Sequence, residues 1–205
     1  MSQPYKFTQD WFHWAPAVWE QIVPILPERK RVLELGAFEG RSTVWIVDNM
    51  LEDGGTLFSV DTWQGAEEHV ASQEDMLGVE KHYDNNHALL KFLHPARTVH
   101  KIKSTSYEAL AFLVGKPAFD FIYIDASHTA PDVLTDACMA WPLLKSGGVM
   151  VFDDYLWDGP TNNARDILHR PKLAIDAFAN IFCEQIRPVH TGYQYAIAKH
   201  FRVEA

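Results

Sequence analysis

The chain has 205 residues, enough for one domain with a sizeable core, and its 27 acidic against 18 basic side chains give a formal charge of -9. That balance works against a broad contact with nucleic acid phosphates or anionic lipid, and 47% hydrophobic with 22% charged residues excludes a disordered, collagenous or coiled-coil chain. Cys138 and Cys183 are far apart and outside any Cys-x-x-Cys spacing, so they read as buried thiols, not as a disulfide framework or zinc site.

Residues 1–28 form an aromatic-rich, helical N-terminal extension carrying Tyr5, Phe7, Trp11, Phe12, Trp14 and Trp19. Rings of this size bury much area, so a helix packed on the domain is expected, with a lid or a subunit contact as the alternative. The first ten residues lack a basic-then-apolar leader pattern, and no apolar run approaches the roughly 18 residues of a membrane helix. A cytoplasmic protein without a membrane partner is expected.

Arg31-Val-Leu-Glu-Leu35 reads as the first strand, stopped by Gly36, and 42–51 has helical spacing before the Asp53-Gly54-Gly55 turn. Residues 56–60 make the second strand, ending at Asp61. A helix within 73–93, a strand over 98–102 and a helix over 107–114 follow. Residues 119–124 are a strong fourth strand ending at Asp125, and 131–144 a helix opened by Pro131 and stopped by Lys145-Ser-Gly-Gly148. Residues 149–152 form the fifth strand, ending at Asp153. A helix over 173–182 leads to two strands, 184–189 and 193–199, joined by the turn His190-Thr-Gly192. This βα alternation closed by a hairpin predicts a single α/β domain over 1–205 with a mainly parallel sheet.

Four strands end at or near an acid, and ligands of open α/β sheets bind at the carboxyl ends of strands. In Glu34-Leu-Gly36-Ala-Phe-Glu39-Gly40-Arg-Ser42 a glycine turn brings a ligand close to backbone and to a helix N-terminus. The Gly-x-Gly-x-x-Gly of dinucleotide binders is absent, and Glu34 and Glu39 suit a cationic ligand without phosphate. Asp61, 25 residues after Gly36, stands where a carboxylate accepts from both hydroxyls of a ribose. Asp125, Asp153 and Asp154 are expected to converge from neighbouring strands, and an all-oxygen set of like charges favours Mg2+, Mn2+ or Ca2+. A capped helix and a solvated turn are the simpler accounts of the same residues.

The stretches 32–40, 58–61, 119–125 and 144–149, with the closing hairpin, resemble the class I S-adenosylmethionine-dependent methyltransferases from about residue 30 to 199. The resemblance implies a Rossmann-like, doubly wound, mostly parallel seven-strand sheet with an antiparallel C-terminal hairpin. It implies that Gly36, Glu39 and Gly40 line the methionine moiety and that Asp61 holds the ribose. Ser42 and Ser104 are weaker carry-overs, and Trp63 would border the adenine. Asp125-Ala-Ser-His128 with Asp153-Asp154 is similar to the metal-dependent O-methyltransferases of the catechol, caffeoyl-CoA and macrolide sugar types. That branch implies a divalent cation on Asp125, Asp153 and Asp154, with His128 as general base.

The expected activity is methyl transfer to a hydroxyl of a sugar, polyketide or phenol. A metal-independent transferase and a non-catalytic S-adenosylmethionine-binding protein stay open, as does homo-oligomerisation. His82 and His87 read as solvent-facing or substrate-side residues. The segments 64–94 and 156–170, with the N-terminus, are the candidate acceptor pocket by position alone.

Overall fold

A computed structural model describes residues 4–65, 74–115, 119–159 and 166–200. Its main elements, in chain order, are α1 (Ala15–Ile22), β1 (Arg31–Leu35), α2 (Arg41–Trp45), β2 (Thr56–Asp61), α3 (Met76–Leu93), β3 (Thr98–Lys103), α4 (Ser106–Leu113), β4 (Phe119–Ile124), α5 (Ala130–Ala140), β5 (Leu144–Phe152), α6 (Pro171–Ile181), β6 (Ile186–Thr191) and β7 (Tyr195–Lys199). The strands form one sheet in the order β3-β2-β1-β4-β5-β7-β6. Five strands are mutually parallel, and β7 runs antiparallel to both β5 and β6. The chain winds outward from β1 in one direction and from β4 in the other, so a topological switch point lies between them. The expected Rossmann-like seven-strand sheet is present.

Alternation along the strands builds two cores. Leu33, Leu35, Ile122, Ile124, Met150, Phe152 and Ile197 meet α4, α5 and α6 on one face. Val32, Phe121, Tyr123, Val149, Val151 and Ala196 meet α1 and α2 on the other. Trp19 of α1 is fully buried there, with ring contacts to Phe12, Trp45, Phe121 and Tyr123, so this part of the N-terminal extension is core. No helix among the described residues is long and apolar enough to cross a membrane.

Three local readings are corrected. The fifth α-helix ends at Ala140, followed by a 3-10 turn over Trp141–Leu143. Pro142, which lacks a backbone N–H, stops it before Lys145-Ser-Gly-Gly148 is reached, and that stretch instead forms the first half of β5. The hairpin strands run two residues further than expected on the β6 side, which moves the turn onto Gly192, Tyr193 and Gln194. Cys138 and Cys183 are both exposed, because they fall on the outer surfaces of α5 and the short turn after α6.

The end of the sheet opposite the strand-end acids is stapled by Asp120, which is fully buried. Its Oδ2 accepts from the N–H groups of Lys30 (3.0 Å) and Arg31 (2.9 Å), and its Oδ1 from Lys145 Nζ (2.7 Å). One carboxylate thus ties the entry of β1 to β5 across β4. Asp120→Ala leaves these donors without their acceptor and is expected to cost about 2–4 kcal/mol in urea unfolding. A change within about 0.5 kcal/mol of wild type would refute the staple.

Candidate active site

Successive strand ends are joined by backbone bonds: Gly36 N–H to Val60 O (2.8 Å), Asp125 N–H to Leu35 O (2.8 Å) and Asp153 N–H to Ile124 O (3.0 Å). The residues following β2, β1, β4 and β5 are therefore brought to one mouth. Gly36 has φ +88°, and a Cβ there would lie 1.9 Å from the carbonyl oxygen of Asp125. Close packing of the turn on the end of β4 requires glycine at this position, whatever the turn binds. Phe38, Trp63 and Asp154 also have positive φ, at 49°, 52° and 54°. All three lie in turns at strand ends, and strained backbone of this kind clusters at functional sites.

Glu34 and Ser42 lie beneath the turn. Glu34 is fully buried and accepts hydroxyl bonds from Ser42 (Oε1), Thr43 (Oε2) and Ser59 (Oε2), each at 2.6 Å. Ser42 is thereby committed to an internal acid that binds the start of α2 to β1 and β2. Burial pushes the Glu34 carboxyl up to about 7, against the opposing pull of the three hydroxyls.

Asp61 takes the backbone itself as partner. Its Oδ2 accepts from the N–H groups of Ala37 and Phe38, both at 2.9 Å, and its Oδ1 from that of Trp63 at 2.7 Å. Trp63 is only 3% exposed, donates Nε1–H to the carbonyl of Phe38 (2.9 Å) and packs on Tyr83. The ring forms the floor under the turn. Ser104 N–H reaches Asp61 O at 3.1 Å, so Ser104 borders Asp61, while its hydroxyl bonds Glu108 in the capping region of α4.

Glu39 is 2% exposed. It accepts from Thr8 N–H (2.6 Å) and Thr8 Oγ1 (2.9 Å), and pairs with His82 Nδ1 at 2.6 Å. Asn86 bonds both the N–H and the carbonyl of Lys6, and also Glu39 O. The N-terminal segment is so fastened across the glycine turn, with Trp11 against Phe38. His82 and His87 are therefore held in internal contacts, the latter on Val99 O at 3.1 Å, and neither is simply solvent-facing.

The acids after β4 and β5 divide into two groups. Asp125, His128 and Asp154 each offer a ligand atom, all within 4.8 Å of one another. His128 Nε2 is 2.8 Å from Asp154 Oδ2 and 3.8 Å from Asp125 Oδ1, and its ring lies 4.6 Å from that of Trp157. Asp153, expected as the third ligand, points inward instead. Its Oδ2 accepts from the Tyr123 hydroxyl and from Gln194 Nε2 (3.2 Å), and its Oδ1 from Asp154 N–H. The Tyr123 hydroxyl also meets Asp125 Oδ2 at 2.9 Å, and that of Tyr193 meets Asp154 Oδ1 at 2.7 Å. Asp125 and Asp153 are held above the ordinary carboxylate range, chiefly by burial and then by the neighbouring acids, partly offset in Asp125 by His128.

Tyr123, Tyr193, Gln194, Thr8 and Asn86 were not singled out in the sequence. Tyr123 precedes Asp125 by two residues in a strand and so shares its face, a signal that was available. The others join the site through long-range partners. Parts of the candidate acceptor pocket, residues 66–73 and 160–165, lie outside the described residues.

Residues 33–155 match a family described as a methyltransferase domain. No curated protein matches the sequence. Among solved structures, the fold is similar to that of TomG, an O-methyltransferase from Streptomyces achromogenes involved in tomaymycin synthesis, in complex with S-adenosylmethionine. The TM-score is 0.62 at 17% identity, over 90% of this chain and 80% of that one. MycE of the mycinamycin biosynthetic pathway, in complex with Mg, S-adenosylhomocysteine and mycinamycin VI, gives 0.58 at 16% identity, over 97% of this chain and 51% of that one. A Clostridium thermocellum protein provisionally assigned as an rRNA methylase gives 0.65 at 13% identity, over 91% and 96%. At these identities the likeness carries the fold, and the acceptor has to be argued from the site.

Glu34 supplies a pH test. It keeps its proton in the folded chain up to about 7, whereas in the unfolded chain it ionises near 4.5. Its contribution to stability is full below 4.5 and is lost as pH rises through 7. Glu34→Gln should therefore gain on wild type between pH 5 and 8, by on the order of 3 kcal/mol in denaturant titrations. Parallel stability profiles for the two proteins would contradict it.

Proposed function

The chain belongs to the methyltransferase-domain family of S-adenosylmethionine-dependent enzymes, and from that premise we propose that it methylates a hydroxyl of a small molecule with a divalent cation at the strand ends. The observation that carries this reading is the ring of ligand atoms from Asp125, His128 and Asp154 beside the Gly36 turn. The donor set fits a hard cation such as Mg2+, because the carboxylates of Asp125 and Asp154 converge there, a third carboxylate stands behind, and the imidazole beside them is left for proton transfer. Burial and like charge lift Asp125 and Asp153, and a dication relieves that repulsion. A bound divalent ion supplies Lewis acidity that lowers the pKa of an acceptor hydroxyl.

The residues divide the work. Gly36 and Gly40 bring backbone close to the methionine part of the cofactor. Asp61 faces the ribose, with Ser104 on its rim and Trp63 as the floor. Glu34, Ser42 and Glu39 support the turn from below and from the N-terminal side. Asp125 and Asp154 would hold the cation, and His128 would take the hydroxyl proton while the oxygen displaces S-adenosylhomocysteine from the methyl group in line. The Nδ1 of His128 is buried, so Nε2 is the nitrogen that can meet an acceptor. While Nε2 donates to Asp154 it already carries a proton, so its use as a base requires Asp154 to have another partner. Asp154 would meet that requirement by turning its oxygen to a cation.

The solved complex of MycE with Mg, S-adenosylhomocysteine and mycinamycin VI supports a small molecule as acceptor, which we read as a sugar, polyketide or phenol. The 2.8 Å contact between His128 and Asp154 favours one second reading, a metal-independent transfer in which Asp154 keeps the Nε2 proton and the acceptor hydroxyl takes its place on that nitrogen.

Turnover with a panel of hydroxyl acceptors separates the two. Excess chelator should lower it at least about tenfold and added Mg2+ restore it, whereas full turnover in chelator would establish the second reading. His128→Ala should lower kcat by about 10²–10⁴-fold while leaving the affinity for S-adenosylhomocysteine unchanged, as read by calorimetry. An active His128→Ala variant would remove the base from both readings.

A further inference from the structure

The β5/β7 ladder pairs Val149 with Ala198 and Phe152 with Tyr195. Carried past the last ladder pair, the same antiparallel register sets Asp153 opposite Gln194 and Asp154 opposite Tyr193, and both side-chain contacts are made. Tyr155 N–H bonds Tyr193 O at 2.9 Å, which fixes the turn residue against the segment after β5. The Tyr193 ring is held from its other side by Trp14, at 5.0 Å between ring centroids, and its hydroxyl ends 2.7 Å from Asp154 Oδ1. The second oxygen, Oδ2, is the one that faces His128. Two adjacent hairpin side chains thus grip two adjacent acids, and the grip on Asp154 leaves one chosen oxygen toward the mouth.

We propose that Tyr193 is a positioning residue for the cation site, its hydroxyl holding Asp154 Oδ1 so that Oδ2 is presented beside Asp125 and His128. The inference rests on the reading of Asp154 as a cation ligand. Carboxylate ligands are ordinarily oriented by such hydrogen bonds, and their loss commonly costs 10–100-fold in metal affinity. Asp154 has φ +54°, in the left-handed region that few non-glycine residues other than Asn and Asp adopt, and the Tyr193 bond helps to hold it there. The bonds of Tyr193 and Asp154 run to each other and to Asp153, Tyr155, Trp157 and His128, on the acceptor side of the mouth.

Tyr193→Phe removes the hydroxyl and keeps the ring against Trp14. Mn2+ is titrated into the purified full-length wild type and variant by calorimetry, with the free ion counted by electron paramagnetic resonance. Affinity for S-adenosylhomocysteine and Tm are measured alongside. The expected result is Mn2+ binding weakened about tenfold or more, with the other two quantities unchanged, a pattern that a merely structural role would not give. Equal Mn2+ affinity in the two proteins overturns the positioning role and leaves the cation site standing. A wild type that binds no Mn2+ overturns the cation site and the positioning role together.

Discussion

The contact on which the site depends is the approach of Gly36 to the carbonyl of Asp125, so close that a single Cβ would overlap it at 1.9 Å. It presses the turn after β1 onto the end of β4, and the bond from Asp125 N–H to Leu35 O holds the two in register. The Gly36 turn and Asp125, the proposed donor and acceptor sides of the site, are thereby set side by side by backbone alone. In-line methyl transfer rewards such fixed geometry more than any one contact does.

The acidic excess acquires a specific meaning once each strand-end acid is followed to its partners. Glu34 is neutralised in part by burial, Asp61 is absorbed by three N–H groups, and Glu39 is tied to Thr8 and His82. Asp153 shares the Tyr123 hydroxyl with Asp125. Of the six acids marked from the sequence, only Asp125 and Asp154 reach the mouth in company with a histidine. Part of the acidic excess is thus held inside the fold, where Glu34, Glu39, Asp120 and Asp136 are buried.

This also explains what was legible beforehand. The strands and their terminal acids follow from apolar periodicity and from glycine stops, which are local. The division of labour within Asp153-Asp154 is not local: it is decided by a hairpin some 40 residues later in the chain. The same holds for Glu39, whose place in the glycine turn suggested a cofactor contact, while its oxygens are claimed by Thr8, 31 residues earlier, and His82, 43 later. Ser42 begins a helix and so looked like a cap or ligand contact, yet Glu34, eight residues back on β1, is within 2.6 Å. Sequence patterns thus located the acids, and long-range hydrogen bonds assigned them.

The N-terminal extension enters the same logic through Trp19. An indole N–H can only donate, so its 2.9 Å bond to Gln194 requires the amide oxygen to face it. The amide nitrogen must then face Asp153, where it donates to Oδ2. With Gln194 only 1% exposed, water has little access to restore either contact if the amide turned over. A tryptophan 134 residues before Asp153 thereby fixes which end of Gln194 the acid meets, and an acid that accepts from Gln194 and Tyr123 has its Oδ2 drawn inward. The aromatic extension is in this sense part of the site's wiring: it turns Asp153 to the core and leaves the mouth to Asp154.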